Sequence, residues 1–199
     1  TKFGFSGEED AFCSYYGYYY NGVTFSGCQD LYSYYGSSFT PSANGLLEEN
    51  GRIKGEYEGW AAYVNVGYEI TDEIDVELGV RYTDDEKDFS IGVPTPESEL
   101  GPYWAYGFST DGFISDTQSW DDTQVRVIAR YRPTEDAMLF ASYTEGFKSG
   151  GFGSFNLGNN AAGDPAIDNT DLTQADGFLP NAFEPETVDS YEIGYKDKF

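Results

Sequence analysis

The sequence of 199 residues predicts an all-β fold, an antiparallel sheet that forms one segment of a transmembrane β-barrel. Apolar and polar side chains alternate along five stretches with a period of two residues. Short and long connections alternate between these stretches, and aromatic residues stand at the ends of the apolar faces. These observations favour a barrel that crosses a membrane with strands and turns one face of its sheet to lipid.

The strongest signal lies in residues 56–84, where the turn 71–73 separates two alternating runs. Alternation at this period places the apolar side chains of a strand on one face. In the first run that face consists of Trp60, Ala62, Val64, Val66, Tyr68 and Ile70. In the second run it consists of Ile74, Val76, Leu78, Val80 and Tyr82. The two runs predict a tight hairpin with one apolar and one polar face.

The aromatic residues of this hairpin distinguish a membrane barrel from a soluble β-sandwich, which would also show alternation. Trp60 and Tyr68 bracket the first apolar face, and Tyr82 ends the second. At about 3.3 Å per residue and a tilt near 40°, eight residues climb roughly 20 Å. That height is close to the apolar band of about 25 Å between the aromatic girdles of an outer-membrane barrel.

Three further strands are predicted at 120–132, 137–149 and 185–199. Connections of three or four residues alternate with connections of about thirty residues. Bacterial outer-membrane barrels have short periplasmic turns and long extracellular loops, whereas compact soluble domains seldom have connections beyond about 15 residues. We therefore assign residues 1–55 to an extracellular Tyr- and Gly-rich loop region and residues 56–199 to barrel strands and their loops.

The charge of the chain is strongly acidic and unevenly distributed, with 35 acidic residues, 11 basic residues and no His. Lys and Arg are missing from three long segments, 3–51, 88–125 and 149–195. Phosphate binding requires clustered basic residues, so a nucleic-acid partner is excluded. The acidic connections either keep the surface soluble or meet cations, as part of a ligand or as bridges to the phosphates of neighbouring lipopolysaccharide.

The sequence offers no catalytic, metal or cofactor site. It has no Ser-His or Cys-His pair and no Gly-rich phosphate loop. Carboxylate pairs such as Asp121-Asp122 are expected by chance in so acidic a chain. No run of 18 apolar residues exists, which excludes a membrane-spanning helix. We therefore predict that the protein is not an enzyme.

Cys13 and Cys28 are the two cysteines of the chain, and both lie in the Tyr-rich first segment. Two sulfurs without a nearby His do not make a zinc site. In an exported loop we expect them to form a disulfide, because extracellular compartments are oxidising. The bond would close a loop of about 15 residues and contribute about 3 kcal/mol in the chain-entropy model.

Two groups of residues are candidates for ligand binding. The first comprises Tyr15, Tyr16, Tyr34 and Tyr35, whose rings either form a binding platform or pack the loop on itself. The second comprises Arg81, Arg126 and Arg130 on the polar face. These arginines either contact an anionic ligand or pair with Glu69, Glu77 and Glu192. Pairing is the favoured interpretation, because half-buried charges are seldom left without a partner.

Three stretches of the sequence resemble the barrel of TonB-dependent outer-membrane receptors. They are AAYVNVGYEITDEIDVELGVRYTDDEKDF (61–89), YRPTEDAMLFASYTEGFKSGGFGSFN (131–156) and FEPETVDSYEIGYKDKF (183–199). The strings GFKSGGF and PETVDSYEIGYK are the most specific parts of the resemblance.

The resemblance implies a 22-stranded barrel in the outer membrane of a Gram-negative bacterium, plugged by an N-terminal domain. Such a receptor would contact lipid and lipopolysaccharide and would import a scarce ligand, most often a ferric siderophore, with energy from the TonB complex. The resemblance does not extend to a plug domain or a TonB box. The chain also starts at Thr1 without a signal peptide, so we expect a piece of a longer receptor.

Three other functions stay open on the sequence. A barrel of about eight strands that does not transport, such as an adhesin or a structural protein, would also show these hairpins. The basic-free loops suit a neutral or cationic cargo, so the importer of a carbohydrate or a cobalamin-like molecule is a further alternative. A secreted, soluble β-sandwich that binds sugar is the third.

Overall fold

The computed structural model describes residues 2–101, 107–159 and 170–197. The strands are β1 (Lys2–Glu8), β2 (Leu46–Glu69), β3 (Ile74–Gly92), β4 (Ile114–Tyr131), β5 (Ala137–Lys148), β6 (Gly151–Asn159), β7 (Phe178–Phe183) and β8 (Glu186–Asp197). The helices are α1 (Glu9–Asn21), α2 (Cys28–Tyr34) and a 3-10 helix (Gln174–Asp176). The fold of the described residues is therefore mostly β.

Six strands form one sheet in the order β1-β2-β3-β4-β5-β8, and β6 and β7 form a separate two-stranded sheet. The pairs β1–β2, β4–β5 and β5–β8 are antiparallel. This topology confirms the predicted antiparallel all-β fold. The strand predicted at 185–199 corresponds to β8, and its last two residues lie outside the described part of the chain.

Both predicted short turns are present, and a threonine hydroxyl organises each one. In the β2–β3 turn, the hydroxyl of Thr71 accepts hydrogen bonds from the backbone N–H groups of Glu73 (3.3 Å) and Ile74 (3.1 Å). In the β4–β5 turn, the hydroxyl of Thr134 accepts one from the N–H of Ala137 (3.1 Å). Side-chain acceptors of this kind satisfy the amides that a tight turn leaves unpaired.

The strands are longer than the apolar periodicity predicts. β2 begins at Leu46 instead of residue 56, β3 continues to Gly92, and β4 begins at Ile114 instead of residue 120. In addition, β6 and β7 lie within the predicted break 150–183. Backbone pairing does not require an apolar face, so the strands continue where the alternation has ended.

The chain divides into two compact units, and the first comprises Thr1–Gly55, Phe89–Asp116 and Gly153–Asn181. Apolar side chains from β3, β4, β7 and the connections form its main core. They are Ile91, Val93, Phe108, Ile114, Leu172 and Phe178. This unit therefore has an interior of its own.

A disulfide-linked pair of helices, α1 and α2, occupies the segment that the sequence predicted as a loop. Cys13 and Cys28 are bonded to each other and are fully buried. Gly17 lies one turn beyond Cys13, and a Cβ there would come within 2.2 Å of the buried ring of Phe25. The glycine thus allows this ring to pack directly on the backbone of α1.

Local sequence explains the start and the end of α1. Glu9 and Asp10 lie in its first turn, where carboxylates interact favourably with the positive end of the helix dipole. Gly22 ends the helix in a left-handed conformation (φ 66°), and its N–H donates to the carbonyl of Tyr18 (2.9 Å). Glycine adopts this conformation without the steric cost that a Cβ imposes.

The second unit comprises Glu56–Asp88, Thr117–Phe152 and Ala182–Phe199, and its sheet has two unlike faces. Directly opposed residues of an antiparallel pair lie on the same face. The register of β4, β5 and β8 therefore creates apolar rows across the three strands. These rows are Val127–Tyr143–Tyr191, Ala129–Ala141–Ile193 and Tyr131–Leu139–Tyr195.

The apolar face of the second unit is exposed rather than packed into a core. Ile193 has 86% of its surface exposed and Val64 has 57%. The rings of Trp60 and Tyr82 are 5.2 Å apart, which places the apolar sides of β2 and β3 on one face. Soluble monomers rarely expose contiguous apolar patches of this kind, so the face requires an apolar environment.

The Cys13–Cys28 bond should control the stability of the helix pair. The double substitution of both cysteines by Ser should destabilise this region by about 3 kcal/mol, because the bond closes a loop with a sequence separation of 15 residues. Chymotrypsin should then cleave within residues 15–20 at least tenfold faster than in the native chain. The Ser14→Ala variant, which keeps the disulfide, serves as the control. Equal cleavage of all three proteins would contradict this role.

Candidate functional site

A groove of about 700 Å³ lies on the polar face of the second unit. Each of the four strands from β2 to β5 contributes to it, and most of the lining residues alternate with apolar ones, as predicted. The polar side chains that line it include Tyr63, Asn65, Arg81, Thr83, Gln124, Arg126 and Thr144. The groove thus combines hydroxyl, amide and guanidinium groups that can bind a polar ligand.

Gly79 opens the middle of this groove. A Cβ at this position would come within 2.5 Å of the amide oxygen of Asn65 and within 3.5 Å of the Cβ of Arg126. The missing side chain therefore leaves space between the side chains of the two neighbouring strands. Sequence alternation placed Gly79 on the polar face but did not indicate that it makes room in a groove.

Arg81 and Arg126 line this groove together. The Nε of Arg81 donates a hydrogen bond to the hydroxyl of Thr83 (3.1 Å). Within the described part of the chain, no carboxylate oxygen lies within 4.0 Å of its guanidinium. Arg126 lies 3.8 Å from a carboxylate oxygen of Glu77, and 52% of its side chain is exposed. Both guanidinium groups therefore have donors directed at the groove or at solvent.

Arg130 has a different environment and lines another groove of the same face. It donates hydrogen bonds to Asp75 (2.8 Å) and to Glu77 (2.9 Å). Arg132 also pairs with Asp75. This half-buried network matches the pairing interpretation for Arg130, because charge-assisted hydrogen bonds of this length fix both partners.

Lys87 contacts Tyr57, a residue that lines the groove, and the sequence alone did not indicate this contact. Its ammonium lies 4.8 Å from the ring centre of Tyr57 and 5.4 Å from that of Trp120. It also donates a hydrogen bond to the carbonyl of Gly150. All three partners lie in the second unit. Cation–π contacts of this kind hold the ammonium in place, so Lys87 fixes the chain at the end of β5.

Gly150 permits this arrangement. A Cβ on Gly150 would lie 2.5 Å from the indole of Trp120 and 2.3 Å from the carbonyl oxygen of Phe183. The glycine of the GFKSGGF string therefore allows the indole and a neighbouring backbone to approach closely. The GFKSGGF string contains this glycine, but the sequence alone does not show which groups the glycine contacts.

The four candidate tyrosines lie on the two helices of the first unit. Tyr15, Tyr34 and Tyr35 are 61–63% exposed, and Tyr16 is half-buried. Tyr16 stacks on Phe12 with ring centres 4.5 Å apart. Tyr15 and Tyr16 therefore belong to one helix surface, and Tyr34 and Tyr35 end the other helix.

Tyr32 belongs to the interior of the helix pair. Its ring packs against Phe39 with centres 5.0 Å apart. Burial raises the pKa of its hydroxyl, and the carboxylate of Glu99 raises it further. The hydroxyl therefore stays protonated well above neutral pH and adds no charge to this acidic segment.

Among the described residues, no group of three or more His, Cys, Asp or Glu side chains is arranged to hold a metal ion. No helix in the described ranges is long and apolar enough to span a membrane.

The family TonB dependent receptor-like, beta-barrel matches residues 2–199. The chain belongs to the TonB-dependent receptor β-barrel family. A similar solved structure is the ferric yersiniabactin uptake receptor FyuA from Yersinia pestis, with a TM-score of 0.51 and 18% sequence identity. The match covers 77% of this chain and 19% of that receptor, so the chain spans about a fifth of its length. No curated protein gave a significant match to the sequence.

The ion-pair network and the groove should respond differently to the loss of an arginine. Arg130→Gln leaves the half-buried Asp75 and Glu77 with fewer partners, so it should lower the free energy of unfolding by about 1–3 kcal/mol. Arg81→Gln removes a group without a carboxylate partner in the described part of the chain, so its effect should stay within about 0.5 kcal/mol. Guanidinium unfolding of the detergent-solubilised receptor measures both. Equal losses would show that Arg81 has a structural role as well.

Proposed function

We propose that the chain is part of an outer-membrane transporter that takes up a scarce small ligand with energy supplied through the TonB complex. Family membership over residues 2–199 is the observation that carries this proposal. The exposed apolar face of the second unit supports it, since such a face is stable where it contacts lipid.

The two faces of the second unit define the proposed orientation in the membrane. The apolar rows contact outer-membrane lipid, and the groove with Arg81 and Arg126 faces the polar lumen of the barrel. Residues 1–55, with their acidic and Tyr-rich sequence, are assigned to the extracellular side, where lipopolysaccharide is a neighbour. This assignment gives every ionised group of the Arg130 network a polar environment.

The proposed cargo is an iron complex. FyuA is a ferric yersiniabactin uptake receptor and is similar in fold to this chain at 18% identity. In this chain, Arg81 and Arg126 offer guanidinium donors to an anionic chelate. The acidic loops favour a neutral or cationic cargo instead, so a carbohydrate or a cobalamin-like molecule is the alternative cargo.

The orientation is tested with a matched pair of cysteine variants in the full-length receptor. Val64 and Asn65 are adjacent in β2 and both exposed, but they lie on opposite faces. Val64→Cys should react with a lipid-soluble thiol probe and resist an aqueous one. Asn65→Cys should not react with the lipid-soluble probe. Equal labelling of both from the aqueous phase would refute the membrane assignment of this hairpin.

The cargo is tested in a strain that lacks the receptor gene. Under iron limitation, the strain should lose growth on at least one chelate from a panel, and the native gene should restore it. If that chelate is anionic, Arg81→Gln should reduce its uptake severalfold and Arg81→Lys should retain more of it, because Lys keeps the charge. Unchanged growth on every chelate would contradict iron import and leave the carbohydrate or cobalamin-like cargo.

A further inference from the structure

Six exposed tyrosines cover the outer surface of the helix pair and form what we call the tyrosine patch. Each has 61–69% of its surface exposed, which is high for a large ring. The members are Tyr15, Tyr18, Tyr19, Tyr20, Tyr34 and Tyr35. Folding of this segment does not bury these rings, so packing of the loop on itself does not explain them.

The patch is held in a fixed conformation from beneath. The opposite side of α1 is buried at Glu9, Cys13 and Gly17, and the disulfide ties it to α2. On the outer side, Tyr15 and Tyr19 are stacked with ring centres 6.4 Å apart. A surface ordered in this way loses little conformational entropy when it binds a partner.

The ends of the two helices are tied together at the patch. The hydroxyl of Tyr35 donates a hydrogen bond to the side-chain oxygen of Asn21 (2.5 Å). Tyr34 and Tyr35 meet edge to face with ring centres 5.2 Å apart. The hydrogen bond therefore ties the end of α1 to the Tyr34–Tyr35 ring pair, and the tyrosines of the two helices present ring faces, ring edges and hydroxyls.

The chain segment that carries the patch has ionised side chains of one sign. Residues 3–51 contain six carboxylates and no Lys or Arg. Neither helix has a basic residue in its last turn, so the negative end of the α1 dipole at Tyr18–Asn21 is not neutralised by one. An anionic partner would be repelled here, and a cationic one attracted.

From these features we propose that the tyrosine patch is a docking surface for a cationic polypeptide. Arg and Lys side chains bind over the faces of tyrosine rings, and this attraction strengthens as the contact is desolvated. The carboxylate of exposed Glu8, which lines the same small pocket as Tyr15, adds complementary charge. Tyrosine is also enriched in protein–protein interfaces. A neutral glycan would use the rings but not the charge, so a polypeptide with Arg and Lys fits both observations.

The test uses the full-length receptor in detergent at 150 mM salt and a fluorescent nona-arginine peptide as the probe. The triple variant Tyr15→Ser, Tyr18→Ser, Tyr19→Ser should weaken binding at least tenfold, because three ring faces are lost. The triple Phe variant keeps the rings and should bind within about threefold of the native protein. Without reductant, neither variant should show more free thiol than the native protein, which shows that the disulfide of the helix pair is intact.

Controls that change the charge away from the patch separate a docking surface from general attraction to an acidic protein. The variant Asp72→Asn, Glu135→Gln, Asp136→Asn removes three carboxylates from the turns of the second unit and should bind within about twofold of the native protein. A nona-glutamate peptide should not bind. Equal loss in this variant and in the Ser variant would overturn the proposal. Binding of maltoheptaose, but not of nona-arginine, to the patch would also overturn it and assign the surface to a neutral glycan.

Discussion

The pleat of a β-strand sends successive side chains to opposite faces, and the second unit depends on that geometry in every strand. Because β4, β5 and β8 are paired in one register, Ala129, Ala141 and Ile193 share a face. A slip of one residue would move each apolar row to the polar side. The pairing of β3 with β4 likewise keeps the Arg130 network together, since its carboxylates come from β3 and its guanidinium from β4. One constraint thus produces both the lipid-compatible face and the groove.

Periodicity predicted the parts of this chain in which one face is apolar and the other polar. The hairpin from Glu56 to Asp84, its turn at Thr71 and the faces of β4 and β5 follow from alternation alone. The alternation of apolar and polar residues did not extend to the ends of β2, β3 and β4 that belong to the first unit. Side chains there face the core of the first unit or solvent, so their sequence does not alternate in the same way. The sequence did not predict the helices α1 and α2, because a segment rich in tyrosine and glycine shows no clear helical pattern of apolar residues and has a low helix propensity.

The candidate site was predictable in composition but not in geometry. Alternation assigned Arg81, Arg126 and Arg130 to one face, yet it could not separate the paired Arg130 from Arg81, because pairing depends on which acidic residue lies across the strand. Lys87 and Gly150 are 63 residues apart in sequence, so their contact exists only through the sheet. Contacts of this kind depend on strand order, which a single sequence does not state.

The small number of basic residues links the sheet to the loops. Several bases on the strands already have a partner: Lys54 lies over the ring of Phe113, Lys148 pairs with Glu186, and Lys196 lies over the ring of Phe140. These cations are used locally to hold strands and aromatic side chains together. Because 35 acidic residues stand against 11 basic ones in the whole chain, the long connections without Lys or Arg carry a net negative charge. Under the proposed function, this distribution of charge would favour cationic partners at the loops and would leave the guanidinium donors of Arg81 and Arg126 for a ligand in the groove.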